Sequence, residues 1–346
     1  MPLPARILFA AIISSTGMSI DAAASVPASN RVDSATCRPV QTGPGPHSLV
    51  QVNGSIDRLL ISSHDRRNFE KTGDIYDYYP STGKMRPLPR TGEPQGISFR
   101  PHHIDIYRAD PESETLLYVI NHDDKKPNSR NHSILVYAIR TDRLVFRKRL
   151  SDPLLSSPNH LSISPGGDIY VSNDRRDGSS VMELVLRQKK ATIVHYRDNS
   201  GWRIVADGLS FPNGVKAEDS RVLVSKTFGN ALLEFPRRPD GSLGMPRTVI
   251  SLPLLDGLTP AQAPDHYLVI SHASLVDFLQ HKSNGTHRSP ATVHEVNRVT
   301  GKSRIYFEDD GKKISGLSAA VTTSDAVYFG QSFEPFLLRC RHASPG

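Results

Sequence analysis

The sequence predicts an all-β fold, a six-bladed β-propeller, and three observations lead to that prediction. The 346 residues include 24 Gly and 26 Pro but only 12 Phe and 1 Trp. Together with many short Val, Ile and Leu runs between turn residues, this composition is typical of numerous short strands rather than long helices. A two-strand segment also recurs six times. The spacing of the copies matches the length of a four-stranded propeller blade.

Each copy of the repeat has the same internal order. A small or polar residue precedes a strand of alternating character, a polar turn follows, and a second apolar strand ends in polar residues. The copies begin at Gly45, Pro101, Pro158, Pro212, Leu255 and Ile314. We take as equivalent positions His47, His102, Asn159, Asn213, Asp256 and Ser315, whose numbers differ by 55, 57, 54, 43 and 59. A β-sandwich with accidental similarity would not predict six copies at such a period.

The stretches between copies supply the outer strands of the blades. ILVYAIR with LVFRKRL, and ALLEFPR with RTVISL, are typical of such strand pairs. Four strands per blade then account for most of the chain that follows the N-terminal segment.

The N-terminal segment MPLPARILFAAIISSTGMSIDAAAS is typical of a secretory signal peptide, because Arg6 precedes an apolar run that small residues follow. A buried N-terminal helix is the alternative, although Gly17 and Asp21 interrupt it. We therefore expect residues 1–25 to be a signal peptide, residues 26–346 to form one propeller domain, and the protein to be periplasmic or secreted. No later apolar run reaches the roughly 18 residues of a transmembrane span, so none is predicted.

The two cysteines lie at opposite ends of the expected propeller. Cys37 follows the signal segment, and Cys340 lies six residues from the end of the chain. In an oxidising compartment such a pair would join the first and last segments and close the ring, with two unrelated thiols as the alternative.

The charge of the chain gives a weak preference for anionic partners. Its formal net charge is +7, but Lys and Arg occur in short clusters such as HDRR, FRKR and RQKK. These clusters do not form a basic stripe interleaved with aromatic residues, so a nucleic-acid partner is not predicted. We interpret them as a solvated surface.

The predicted fold brings two sets of polar residues to one face of the ring. In a propeller the first strand of each blade lines the channel, and the hairpin returns the end of the second strand to the same face. The first set is the six equivalent positions given above. The second set consists of His64, Asp65, Asn121, His122, Asn173, Asp174, Lys226, His272 and Gln331. A propeller used only as a scaffold does not need this concentration of polar groups, so we expect a binding site here.

The residue types at this face favour metal-assisted hydrolysis. Asn159, Asn213 and Asp256 offer oxygen ligands from three successive blades, as a hard cation such as calcium prefers, although each taken singly could instead cap a turn. His102 and His122 are neighbours across a hairpin and can relay a proton. A metal that polarises a carbonyl and an imidazole that takes a proton from water suit an ester or lactone substrate. The sequence contains no GxSxG motif, so an acyl-serine intermediate is not indicated.

At these residues the chain resembles the paraoxonase and arylesterase family, within the superfamily of SMP-30, gluconolactonase and strictosidine-synthase-like propellers. FRPHHI and LLYVINHDD resemble the segments that carry the family's histidine dyad, which implies catalytic roles for His102 and His122. SND and ISHAS resemble pocket segments, which implies that Asp174 and His272 line the pocket. The terminal cysteines match the family's ring-closing disulfide.

The resemblance also implies a metal site. SSPNHL, DGLSFPNGV and LLDG resemble the family's calcium-binding segments, which implies that Asn159, Asn213 and Asp256 are metal ligands. The expected activity is that of a calcium-dependent lactonase or arylesterase acting on a small-molecule lactone or aryl ester.

Several acidic ligands of the family are replaced in this chain. His47 or Ser48 stands where the family has adjacent acidic residues, Gly257 replaces an Asn ligand, and His160 replaces a carboxylate of the second, structural calcium. Calcium affinity depends on the number of charged ligands, and only Asp256 remains as a carboxylate among them. The sequence therefore leaves three alternatives open: weakly held calcium, a transition metal that accepts imidazole from His47, or no metal.

Two further expectations concern the pocket and its function. We expect the pocket lining to include Asn121, Asp174, His272, Lys226 and Ser315, with substrate choice set by the loops at residues 122–133 and 176–190. The alternative function, motivated by the lost acidic ligands, is a non-catalytic exported propeller that binds a small molecule, glycan or protein on the same face.

Overall fold

Six sheets form the blades of a β-propeller, which confirms the predicted fold class. Five of them are four-stranded and antiparallel, and the sheet of the second blade has a short fifth strand. The computed structural model describes residues 32–52, 57–123, 131–175 and 190–343. The predicted signal segment lies outside this range, as do residues 124–130 and 176–189 of the two substrate loops. Among the described residues, no helix combines the length and apolar character needed to cross a membrane.

The strands follow one another blade by blade. The chain enters through a 3₁₀ turn (Ser34–Thr36) and β1 (Arg38–Gln41), which belongs to the sixth blade. The first blade contains β2 (Pro46–Gln51), β3 (Leu59–Ser63), β4 (Asp74–Tyr79) and β5 (Lys84–Pro87). The short β6 (Arg90–Thr91) pairs in parallel with the outer strand of the second blade, which contains β7 (Pro101–Tyr107), β8 (Leu116–His122), β9 (His132–Ile139) and β10 (Leu144–Leu150).

The remaining blades repeat this meander. The third contains β11 (Pro158–Ile163), β12 (Ile169–Asn173), β13 (Ala191–Arg197) and β14 (Gly201–Leu209). The fourth contains β15 (Pro212–Ala217), β16 (Arg221–Lys226), β17 (Ala231–Pro236) and β18 (Arg247–Ser251). The fifth contains β19 (Leu255–Pro260), β20 (His266–His272), β21 (Ala291–Asn297) and β22 (Ser303–Asp309), with helix α1 (Leu275–Ser283) inserted before β21. The sixth combines β23 (Leu317–Thr322), β24 (Ala326–Gln331) and β25 (Phe336–Arg341) with β1.

The innermost strands contact one another in a closed ring. Each of β2, β7, β11, β15, β19 and β23 lies against the next, and the last lies against the first. Apolar side chains fill the spaces between neighbouring sheets; Leu60 and Ile75 of the first blade, for example, pack with Ile104, Leu117 and Tyr137 of the second. The axis is thus surrounded by the first strand of every blade, as the sequence predicted.

The chain closes the ring at the sixth blade. Strand β1 pairs with β25 in the register Arg38 to Arg339 through Gln41 to Phe336, so the first strand completes the last sheet. The Cys37–Cys340 disulfide lies beside this pairing, which confirms the predicted cross-link.

A register shift occurs at the start of the inner hairpin in every blade. Extra residues in a β-bulge leave the ladder and bend the strand, which redirects their side chains. The residues skipped by the six shifts are His47, His102 with His103, Asn159, Asn213 with Gly214, Asp256 with Gly257, and Ser318. The bulges therefore coincide with five of the six positions that the repeat identified.

The sixth position differs from the prediction. Ser315 precedes β23, whereas the register shift falls at Ser318. The alignment of Ser315 with the axial positions is wrong by three residues. Ser318 instead takes part in a series of hydroxyl contacts in which serines donate to the bulged backbone carbonyl of a neighbouring blade: Ser62 to His102, Ser172 to Asn213, Ser225 to Asp256 and Ser318 to His47.

Candidate functional site

A cavity of about 280 Å³ opens over the axis on the face where the bulges lie. Its wall includes eight of the residues that the sequence singled out: His47, His102, His122, Asn159, Asp174, Asn213, Asp256 and His272. They come from the first five blades, and Ser332 and Phe333 contribute from the sixth. In each of these five blades, one residue that the bulge removes from the sheet ladder is thus part of the cavity wall.

Three predicted pocket residues do not line this cavity. The Asn121 side chain is fully buried beside it, where it accepts a hydrogen bond from Arg100 N at 2.6 Å and donates to Ser98 O at 3.0 Å. Lys226 ends β16 opposite Pro212 and is not part of the wall. The Ser315 hydroxyl donates to Gly311 O and accepts from Ser289 N. These hydrogen bonds stabilise the connection before β23.

Three histidines form a hydrogen-bonded chain along one side of the cavity. His102 Nδ1 lies 2.7 Å from His122 Nε2, and His122 Nδ1 lies 3.0 Å from His132 Nδ1. His122 and His132 are paired directly across β8 and β9. The free end of this chain is His102 Nε2, which is buried without a hydrogen-bond partner in the described part of the protein.

The tautomers of this chain determine what it can do. When His122 donates Nδ1–H to His132, its Nε2 accepts from His102 Nδ1–H, and His102 Nε2 carries a lone pair. Burial, with the charge of Arg66 as the second cause, holds the pKa of His102 well below its ordinary value. Burial and the neighbouring His132 lower the pKa of His122 in the same way. Both imidazoles are therefore neutral near pH 7, the state that a general base requires.

His132 was missed by the sequence interpretation, which treated residues 122–133 as a substrate loop. The signal that identifies it is strand pairing: a hairpin returning after His122 places the first residue of the next strand opposite it.

Arg66 also lines the cavity, contrary to the interpretation of HDRR as solvated surface. Its Nη1 and Nη2 atoms are buried, and no described residue accepts a hydrogen bond from them. Burial lowers the pKa of this guanidinium to about 9, which the carboxylate of Asp256 partly opposes. The group is still a cation at neutral pH.

The two carboxylates of the cavity already have polar partners. Asp256 Oδ2 lies 2.8 Å from His272 Nε2. Asp174 accepts from the Ser157 hydroxyl, from Asn159 Nδ2 at 3.1 Å and from Arg175 Nε at 3.1 Å. Asp174 therefore orients Asn159, one of the predicted metal ligands.

The predicted ligand set does not fit calcium. Calcium takes about six to eight oxygen ligands, with carboxylates providing most of the charge. Asn159, Asn213 and Asp256 bring one carboxylate between them, and the cation of Arg66 shares their cavity. Within the described ranges, no three His, Cys, Asp or Glu residues are arranged to hold a metal ion.

Two imidazoles lie at the position of the expected second, structural calcium. The rings of His103 and His160 lie with centroids 3.2 Å apart. His103 Nδ1 accepts from Leu161 N, and His160 Nδ1 accepts from Val215 N. Burial lowers the pKa of both residues, so two neutral rings stand there instead of carboxylates.

Aromatic side chains line part of the cavity wall. Phe278 from α1 lies 5.5 Å from Phe333, and Phe211 lies 5.4 Å from Phe228, measured between ring centroids. Helix α1 begins at an N-cap in which Ser274 accepts from Asp277 N. This part of the wall can contact an aryl or alkyl group of a ligand whose polar atoms face the polar side chains of the cavity.

Comparisons with known proteins agree with this architecture. A family model described as Arylesterase matches residues 66–237. The calcium-binding protein regucalcin from Agrobacterium tumefaciens strain C58 is similar in structure, with a TM-score of 0.53 at 12% identity over 91% of this chain and 95% of that one. A gluconolactonase from Xanthomonas campestris is similar with a TM-score of 0.50 at 14% identity, over 88% and 98% of the two chains.

A luciferin-regenerating enzyme aligns with a TM-score of 0.53 at 10% identity, over 92% of this chain and 96% of that one. At such low sequence identities these structural similarities show only that the fold is shared. No curated protein sequence matches the chain. The family model covers both residues of the histidine pair, Arg66 and two of the three predicted oxygen ligands. The chain therefore belongs to the arylesterase family.

Proposed function

We propose that this protein hydrolyses lactones or aryl esters in the axial cavity, with His102 and His122 activating water. Membership of the arylesterase family supports a hydrolase of ester or lactone type. The observation that carries the finer proposal is the 2.7 Å contact between His102 Nδ1 and His122 Nε2, which leaves His102 Nε2 as an unpartnered base in the cavity wall.

The reaction begins with water placed beside His102 Nε2. The imidazole takes a proton from the water as its oxygen bonds to the carbonyl carbon, and the carbonyl π electrons move onto oxygen. The tetrahedral intermediate collapses, the bond to the leaving oxygen breaks, and that oxygen takes the proton from His102. An ester yields an acid and an alcohol or phenol, and a lactone yields a hydroxy acid.

The hydrogen-bonded chain supports the first proton transfer. As His102 gains a proton at Nε2, its Nδ1–H is held by His122, and the charge is shared toward His132. These contacts also fix the orientation of the His102 ring. Catalytic distances depend on that orientation, because misplacement by about 1 Å can slow a reaction about 100-fold.

The aromatic part of the cavity wall supports the substrate class. Phe211, Phe228, Phe278 and Phe333 line the cavity with apolar surface that suits the phenyl ring of an aryl ester or the alkyl tail of a lactone. The regucalcin likeness brings calcium into consideration, but the single carboxylate and the cation of Arg66 make the donor set a poor match for that ion.

Export is part of the proposal. The Cys37–Cys340 disulfide is typical of proteins that fold in an oxidising compartment, and the N-terminal segment has the composition of a signal peptide. We propose a periplasmic or secreted enzyme.

The test is hydrolysis of phenyl acetate and of a panel of lactones by the purified protein, measured after chelation and again with each of several divalent metals. We expect turnover, and we expect His102→Gln to lower it by at least about 100-fold, the usual effect of removing a general base. His266 begins β20 at the end opposite His272, so His266→Gln is the matched control and should retain activity. Absence of turnover with every substrate and metal would instead favour the non-catalytic binding propeller.

A further inference from the structure

Arg66 is partly buried, and the two terminal nitrogens of its guanidinium have no hydrogen-bond partner in the described protein. Its Nη1 and Nη2 atoms are both buried, and the residue forms part of the cavity wall. The next residue shows the contrast, since Arg67 donates to Glu334 Oε1 at 2.8 Å and to two backbone carbonyls of α1. A guanidinium has five N–H donors, and burying them unpaired is unfavourable. The arrangement is explained when a ligand supplies the missing acceptors.

The charges around Arg66 favour a negative ligand. Arg66, Arg175 and Lys282 all line the cavity, against the two carboxylates of Asp174 and Asp256. Asp174 is paired with Arg175, and Asp256 is hydrogen-bonded to His272. Burial lowers the pKa of His47, His102 and His122, so these imidazoles add no charge. The Arg and Lys side chains of the wall therefore exceed its carboxylates by one charge.

The position of Arg66 connects this charge to the proposed chemistry. Its guanidinium is close enough to His47, His102 and His122 to be among the causes that lower the pKa of each. A ligand oxygen bound to Nη1 and Nη2 is therefore near the base that would activate water. A guanidinium also binds a carboxylate through two parallel hydrogen bonds, which a metal-ligating set of amides does not.

We propose that Arg66 is the resident cation of the axial site and binds carboxylate and oxyanion oxygens, in the place where the family resemblance implies a divalent metal. During hydrolysis the carbonyl oxygen that gains the π electrons accepts hydrogen bonds from Nη1 and Nη2, and the carboxylate product binds to the same atoms. The oxyanion role rests on the proposed function, whereas the carboxylate site stands on the cavity itself.

The test is calorimetric titration of the chelated, full-length mature protein with benzoate, the carboxylate released from an aryl benzoate. We expect wild-type protein to bind benzoate without added metal. Arg66→Met should weaken binding by at least about 10-fold, since a hydrogen-bonded buried charge pair is lost. Arg66→Lys keeps the charge but not the paired donors, and should fall between the two.

The control replaces an arginine that lies far from the cavity. Arg143 is half exposed and pairs only weakly with its neighbour Asp142 at 3.6 Å, so Arg143→Met should bind benzoate like the wild type. Circular dichroism verifies that each variant is folded, and Arg66→Gln serves if Arg66→Met does not fold. Equal benzoate affinity in the wild type and the folded Arg66 variants would overturn the inference, as would benzoate binding that requires calcium.

The outcomes separate this inference from the proposed function. Arg66-dependent benzoate binding without any ester turnover would keep the carboxylate site and reject the hydrolase. Turnover that appears only with a bound divalent metal, without benzoate binding to the chelated protein, would keep the hydrolase and reject the role of Arg66.

Discussion

Asp256 Oδ2 lies 2.8 Å from His272 Nε2, so the carboxylate predicted as a metal ligand is hydrogen-bonded inside the fifth blade. Both side chains are almost fully buried. Asp256 is also the negative group whose charge opposes the lowering of the Arg66 pKa. One carboxylate therefore offsets part of the charge of the guanidinium and orients an imidazole.

This relationship predicts the effect of Asp256→Asn. The amide retains a hydrogen bond to His272 but removes the negative charge, so the excess positive charge of the cavity rises. We expect benzoate to bind about 3- to 10-fold more tightly to the chelated variant, as titration calorimetry would measure, because a repulsive charge near the ligand is gone. Weaker benzoate binding in the folded variant would contradict this assignment.

The contact between His122 and His132 predicts a role for His132 in positioning the dyad. His132→Phe keeps an aromatic ring but removes the acceptor for His122 Nδ1–H, so the tautomer that leaves His102 Nε2 unprotonated is no longer favoured. We expect kcat for phenyl acetate to fall about 10-fold, with KM within about twofold of the wild type. His132→Asn provides an oxygen acceptor and should restore part of kcat. A rise in KM with an unchanged kcat would indicate a substrate contact instead.

The lowered pKa of His102 predicts the acid limb of the activity profile. The base must be neutral to accept a proton, and burial keeps its pKa well below 6.5. We therefore expect kcat/KM for phenyl acetate to stay constant as pH falls from 7 through about 6.5, where an ordinary histidine would begin to protonate. A decline centred near 6.5 in a buffer series of constant ionic strength would show that His102 has an ordinary pKa.

The closely packed, tilted rings of His103 and His160 predict how stability depends on pH. Burial, then the charge of Lys216, lowers the pKa of His160 to about 3. Below about 6.5 the unfolded chain binds a proton at this residue that the folded chain does not, so stability is complete above that pH and decreases toward 3. Each such histidine contributes a slope of about 1.4 kcal/mol per pH unit in this interval.

Urea unfolding between pH 7 and pH 4 tests the contribution of this pair. His160→Asn should reduce the slope of the unfolding free energy against pH, even where it lowers the free energy itself, because Asn has no proton to bind. A slope identical in wild type and His160→Asn would mean that His160 titrates alike in both states.

The fold was predictable from the sequence because each blade repeats the same inner hairpin. His47, His102, Asn159, Asn213 and Asp256 fall at its bulges, so a period found by alignment located them correctly. Ser315 was placed wrongly because an apolar residue followed by serine occurs twice, at Ile314–Ser315 and at Leu317–Ser318, and only the strand pairing shows that the second copy begins β23.

Arg66 and His132 were not predictable for a different reason. An arginine in the cluster HDRR is usually solvated, whereas here its Nη1 and Nη2 atoms are buried in the wall of a cavity to which all six blades contribute. His132 enters the site through the pairing of β8 with β9, across residues 124–130 whose sequence gives no strand signal. Both side chains are placed by tertiary structure, which local patterns do not encode.

The Cys37–Cys340 disulfide predicts a large stability difference between the oxidised and reduced protein. It closes a loop with a sequence separation of 303 residues and fastens β1 to β25, the pairing that completes the sixth blade. Replacing both cysteines by serine should lower the free energy of unfolding by about 2–5 kcal/mol, because the unfolded chain regains the freedom that the cross-link removes. Urea unfolding measures this difference, and adding reductant should destabilise the wild type by the same amount but leave the double variant unchanged.

Hydrogen exchange should locate the first opening in β1, where the ring is joined by strand pairing alone once the disulfide is gone. Equal protection of β1 in the two proteins would show that the backbone pairing between β1 and β25 holds the ring closed without the disulfide.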